Sequence, residues 1–105
     1  MTPNAFRKLA LALSGAVEGA HMGHPDFRAG GRIFASLTAD GSRGMVKVSS
    51  EEQTRLLRSD PQCFEPASGA WGKQGCTMIT LSTADPTLVR AALRHALERA
   101  QTPRS

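Results

Sequence analysis

Three histidines, two cysteines and nine carboxylates are the side chains of this sequence best suited to holding a metal or moving a proton. A structural or catalytic zinc needs three or four such ligands in convergent geometry. His21 and His24 stand three apart, but Gly23 and Pro25 argue against a helix that would turn both onto one face, and His95 lies far along the chain among arginines. Cys63 and Cys76 are 13 positions apart with no C-x-x-C. A small secreted domain stapled by disulfides would use more cysteines, so two lone thiols fit a reducing compartment. Cys76 lies in an apolar, strand-like run and reads as a small buried hydrophobe. The carboxylates stand mostly at helix starts, where they cap and oppose the helix dipole. Asp26 beside Arg28 is the one exposed local pair, read as stabilising a turn. None of the patterns G-x-x-x-x-G-K-[ST], G-x-G-x-x-G or G-x-S-x-G occurs. No catalytic residue, metal ligand set or cofactor is expected, and the chain does not read as an enzyme.

The remaining chemistry is charge. The net charge is +4, with six basic and three acidic side chains in residues 1–50, three and five in 51–85, and four and one in 86–105. The flanks are basic and the middle acidic, so a surface that meets an anion must draw on the flanks. The competing reading is that the C-terminal arginines only solvate a helix end whose dipole favours them. Trp71, between Gly69 and Gly72 and beside Lys73, is the only Trp in a chain with no Tyr. It could stack on a base or a ligand ring. The preferred reading is structural, with Trp71 plugging one end of a core short of aromatics.

These side chains must be positioned by elements that the sequence marks at several points. Thr2 can cap a helix with Pro3 at its first position, and Phe6, Leu9, Ala10 and Leu13 form its apolar stripe up to Ser14-Gly15. Arg7-Lys8 before that run faintly mimics an export signal, but the run is too short and the helical stripe is the better reading. No apolar stretch approaches the ~20 residues of a membrane span. From Glu18 to Gly31 the chain holds short extended pieces, with Gly30-Gly31 as a tight turn. A strand over 32–38 places Ile33, Ala35 and Leu37 on one face against Phe34, Ser36 and Thr38. A second strand over 45–48 returns after a long hairpin tip carrying Arg43. Two capping boxes overlap, Ser49 with Glu52 and Ser50 with Gln53, and their helix stops before Pro61. A loop leads through Trp71 to a strand over 76–82, on which Thr77, Ile79 and Leu81 share a face. Asp85-Pro86 opens a last helix with the stripe Leu88, Val89, Ala92, Leu93, Ala96, Leu97 and Ala100, ended by Pro103.

A chain of 105 residues has room for one domain, residues 1–105, with one modest core. The order helix, strands, helix, strand, helix predicts an α+β fold: a two-layer sandwich, with an antiparallel sheet carrying helices on one face.

The run Gly23-His24-Pro25-Asp26-Phe27-Arg28-Ala29-Gly30-Gly31-Arg32-Ile33-Phe34-Ala35 resembles the MmcQ/YjbR-like family of small bacterial proteins. The likeness continues through Val46-Lys47-Val48-Ser49, Glu51-Glu52-Gln53 and Ala70-Trp71-Gly72-Lys73-Gln74-Gly75, and so covers nearly the whole chain in order. Ala29 stands where an aliphatic residue is usual, and Cys76 where a second Trp often follows. The resemblance implies a frataxin-like, secretion-chaperone-like α+β fold, described in the family as binding DNA through a double wing of hairpins. Carried over by position, the first wing is the hairpin around Arg32, Arg43 and Lys47, with the turn from Arg28 to Gly31 next to it, while Lys73 and Trp71 flank the second.

Two functions follow as expectations. One is binding of double-stranded DNA by phosphate contacts from Arg28, Arg32, Arg43, Lys47 and Lys73, without base reading, since no helix clusters Asn, Gln or Arg to enter a major groove. The other is a protein- or small-ligand-binding module, which would show an exposed apolar patch around Phe34 and Met45. Either way a cytoplasmic monomer or weak dimer without a membrane partner is expected.

Overall fold

Thr2 opens the first helix. In the computed structural model, which describes residues 1–102, its side chain accepts from the Ala5 N–H and Pro3 takes the first position of α1 (Pro3–Leu11). The Gly-rich stretch that follows is more regular than its composition suggests. It forms a paired hairpin of β1 (Val17–His21) and β2 (His24–Ala29) around the turn Met22-Gly23. Gly30 and Gly31, at φ 59° and 78°, make the next two-residue turn, a conformation whose twist suits a hairpin and which glycine adopts without steric cost. That turn delivers β3 (Arg32–Leu37), and the 38–42 connection delivers β4 (Arg43–Lys47).

Of the two overlapping capping boxes, the structure uses Ser49, whose hydroxyl accepts from the Glu52 N–H at the start of α2 (Ser50–Ser59). The segment read as a loop holds a three-residue strand, β5 (Phe64–Pro66), and a single helical turn, α3 (Ala70–Lys73). Both are too short for a periodic signal, and β5 exists because β6 (Cys76–Thr80) pairs with it. Leu81 leaves the strand for a 3-10 turn. Asp85 caps α4 (Pro86–Gln101) by accepting from the Thr87 N–H. Pro103, the expected helix stop, lies outside the described residues.

The six strands form one antiparallel sheet in the order β1-β2-β3-β4-β6-β5. Helices α1 and α4 pack on one face, α4 against β2, β3 and β4, and α2 and α3 lie by the β5–β6 end. The fold is thus the expected two-layer α+β arrangement. Its core is built from Phe6, Phe27, Val46, Ile79, Leu93 and their neighbours, with the Phe6 and Phe27 rings 6.1 Å apart and tilted by 59°. One strand assignment is corrected. Phe27 faces Ala35 but Arg28 faces Ile33, so Phe34 is an extra residue in β3. Such a bulge lets two successive side chains face one side, and Phe34 and Ala35 are both fully buried. Phe34 belongs to the core instead of facing away from it.

Candidate anion-binding groove

Arg28 and Arg32 straddle the Gly30-Gly31 turn, and the last turns of α4 come back against it. The Arg32 Nη1 donates to the Thr102 carbonyl at 3.4 Å. On α4 the positions facing this corner are Ala96 and Ala100, too small to fill it, and Ile33 and Phe34 line it from the sheet. The result is a groove of about 650 Å³ whose charged lining is Arg28, Arg32, Lys47 and Arg99. A second groove of about 530 Å³ shares Lys47 and Arg99 and adds Lys73, Ser50 and Gln74. The two are neighbours through these shared residues, and among the described residues neither lining includes a carboxylate.

Four of the five cations singled out in the sequence therefore converge: Arg28, Arg32, Lys47 and Lys73. Arg43 does not. It sits at the opposite end of β4 from Lys47, roughly 13 Å along the strand at about 3.3 Å per residue, and its Nη1 donates to Glu65 Oε1 at 2.9 Å. Arg99 is the cation that sequence reasoning missed. Its place outside the apolar stripe of α4 was readable, but nothing local tells which neighbour that side of the helix meets.

The cations differ in how much of their charge is spoken for. Arg28 makes a two-point pair with Asp26, Nε to Oδ1 at 2.8 Å and Nη2 to Oδ2 at 3.1 Å. Hydrogen bonding to Asp26 and its charge push the Arg28 pKa further up. The sequence placed this pair in an exposed turn. In fact Asp26 is 1% exposed while the Arg28 side chain is 40% exposed, so a buried carboxylate holds a half-open guanidinium in place. Gly19, the register partner of Asp26, leaves the room, because a Cβ there would fall 2.9 Å from Asp26 Oδ1. Arg32 and Arg99 stand at the C-terminal end of α4, where its dipole favours cations. Lys47 reaches the Trp71 ring, with Nζ 5.9 Å from the centroid.

Trp71 corrects the structural reading. It is 62% exposed and plugs no core; the aromatic core is Phe6, Phe27, Phe34 and Phe64, all buried. The turn that carries Trp71 is held firmly. A Cβ on Gly72 would lie 2.1 Å from the Ala67 carbonyl oxygen, and one on Gly75 would lie 1.8 Å from that of Val48. Gln53 Nε2 stands 3.0 Å from the Gly72 oxygen, 3.2 Å from the Cys76 oxygen and 3.1 Å from Thr77 Oγ1. The sequence offered Gln53 only as a capping partner. Since Ser49 and Glu52 form the cap, Gln53 is free to tie α2 to α3 and β6.

Cys63 and Cys76 are buried and free. Burial pushes both thiols up, in Cys76 against the pull of Lys47 and Arg99, so neither is an activated nucleophile. His21 and His24 are register partners across the first hairpin, and His95 Nε2 accepts from the Ser49 N–H at 3.4 Å. Among the described residues no group of three or more His, Cys, Asp or Glu is arranged to hold a metal ion, and no helix is long and apolar enough to cross a membrane.

Comparison with known proteins gives two findings. The YjbR family model matches residues 11–99. Among solved structures, the crystal structure of Deinococcus radiodurans protein DR2400, which carries the DUF419 family domain, superposes with a TM-score of 0.75 at 23% identity, over 90% of this chain and 75% of that one. At that identity the likeness concerns the fold. Comparison with curated proteins finds no match.

Proposed function

The chain belongs to the YjbR family, and from that premise we propose that it is a non-enzymatic protein that binds nucleic acid by its phosphates, without reading sequence. One observation carries the reading: two neighbouring grooves that share Lys47 and Arg99, together lined by Arg28, Arg32, Lys47, Lys73 and Arg99, with no carboxylate among the described lining residues. Arginine and lysine at such a surface replace the counterions condensed on a phosphate backbone, which gives affinity and salt dependence but no base discrimination. Of the apolar patch that a protein-binding module would show around Phe34 and Met45, Phe34 is fully buried and Met45 half-buried, which supports the nucleic-acid reading over that one. The exposed large apolar side chains are instead spread over α1, the first hairpin and α3, at Leu11, Val17, Met22 and Trp71. Within this proposal the protein works in the cytoplasm as a monomer or weak dimer, where its two buried thiols stay reduced.

The test is a titration of labelled DNAs of unrelated sequence at several salt concentrations. Binding around 10⁻⁴–10⁻⁶ M at physiological salt is expected for this kind of contact. It should be indifferent to sequence and weakened by Lys47→Ala and by Arg99→Ala. Absence of binding even at low salt, or binding unchanged in both variants, would overturn the proposal.

A further inference from the structure

We infer that the groove takes unpaired nucleotides, with Trp71 as the plane on which a base stacks; the inference rests on the phosphate-binding reading above. All four phenylalanines of this aromatic-poor chain are buried, yet its largest aromatic is left 62% exposed. That exposure is not a loose end, because the turn carrying Trp71 is fixed by the close approaches at Gly72 and Gly75 and by the three contacts of Gln53. A turn whose backbone is set before the ligand arrives has little backbone freedom left to lose on binding. Trp71 itself lines neither groove but stands beside both, next to cations that do. Lys47 Nζ lies over the ring at 5.9 Å and lines both grooves, and Lys73, two residues on, lines the second.

An aromatic plane flanked by cations along a groove matches a single strand, whose bases offer their faces while the phosphates run past the cations. In a duplex those faces are already stacked on one another, so Trp71 would add nothing there. The site is sequence-tolerant, since every base has a π-face.

Because Trp71 is the only Trp and the chain has no Tyr, its emission reports the contact directly. The whole protein is titrated with three probes: a short oligo(dT), an abasic strand of the same phosphate count, and a duplex. Trp71 emission should be quenched by oligo(dT) and left unchanged by the abasic strand, with oligo(dT) bound the more tightly. Trp71→Ala should weaken oligo(dT) binding roughly five- to hundredfold, leave abasic binding within about twofold, and keep the wild-type melting temperature. Trp71→Phe should retain most of the affinity. Equal affinity for oligo(dT) and the abasic strand with no quenching would overturn stacking and leave the phosphate groove standing. Failure of all three probes to bind at low salt would remove the groove as well.

Discussion

Phe34 and Trp71 exchange the places that their neighbours suggest. Simple alternation sets Phe34 opposite the apolar face of Ile33, Ala35 and Leu37, and only the extra residue in β3 turns it into the core. A bulge is a property of two strands together, so no local pattern in 32–38 could announce it. Trp71 reads as core because large aromatics generally are, but its flanking glycines serve backbone approaches to Ala67 and Val48 and bring no packing partners for the ring. The two positions therefore predict opposite results on truncation. Phe34→Ala should destabilise the protein by about 3–5 kcal/mol, the range for a buried Phe. Trp71→Ala should change stability by no more than about 0.5 kcal/mol, as for a surface site. Urea unfolding followed by circular dichroism measures both, and a large loss in Trp71→Ala would return it to the core.

Among the elements, those announced by caps start where the sequence puts them: α1 behind Thr2-Pro3, α2 behind Ser49 and α4 behind Asp85-Pro86. Helix α1 nevertheless ends at Leu11 and leaves Leu13 of its expected stripe outside the helix. What stayed hidden was set by partners, such as β5 by its pairing to β6, and α3 by Gln53 reaching across from α2. Gln53→Ala should accordingly loosen α3 without unwinding α2. Removing a donor shared by three acceptors should destabilise by about 1–3 kcal/mol and shift Trp71 emission; unchanged emission and stability would show that α3 holds itself. The β3–β4 connection makes a separate prediction. Asp40 accepts from the Ser42 N–H at 3.0 Å, the Thr38 hydroxyl at 2.8 Å and the Ser42 hydroxyl at 2.9 Å, and these bonds hold its carboxyl down at about 2. The unfolded chain titrates near the ordinary value of about 4. A folded pKa below the unfolded one means that the turn's contribution is complete above about pH 4 and is lost as the pH falls through about 2. Carboxyl NMR titration should place the Asp40 midpoint near 2, and a midpoint near 4 would show that the turn does not hold it.

At the scale of the whole molecule, position in the chain says which cations exist but not which ones meet. Arg28 and Arg32 flank one turn, and their closeness is evident in the sequence. Their meeting with Arg99 depends on α4 running back across β2, β3 and β4 to that turn. Lys73 joins Lys47 because β6 inserts beside β4, and the same insertion carries β5 and Glu65 to the side of Arg43. One crossover in the strand order thus adds Lys73 to the cations that α4 gathers and sets Glu65 against Arg43 at the far end of β4. The consequence is an asymmetry that net charge alone would not produce, since every Arg→Ala or Lys→Ala change removes the same unit from a total of +4. If attraction to nucleic acid were a matter of net charge, Arg43→Ala, Lys47→Ala and Arg99→Ala would weaken binding alike. If the groove does the binding, about four to five phosphate contacts on a single strand give a log–log salt slope of roughly −3, using about −0.7 per contact. Lys47→Ala and Arg99→Ala should each make that slope shallower by about 0.7, while Arg43→Ala, removing a cation already paired to Glu65, should leave slope and affinity within error of the wild type. Salt titrations of the three variants against one oligo(dT) decide between the two, and equal losses in all three would dissolve the groove into a diffuse positive field.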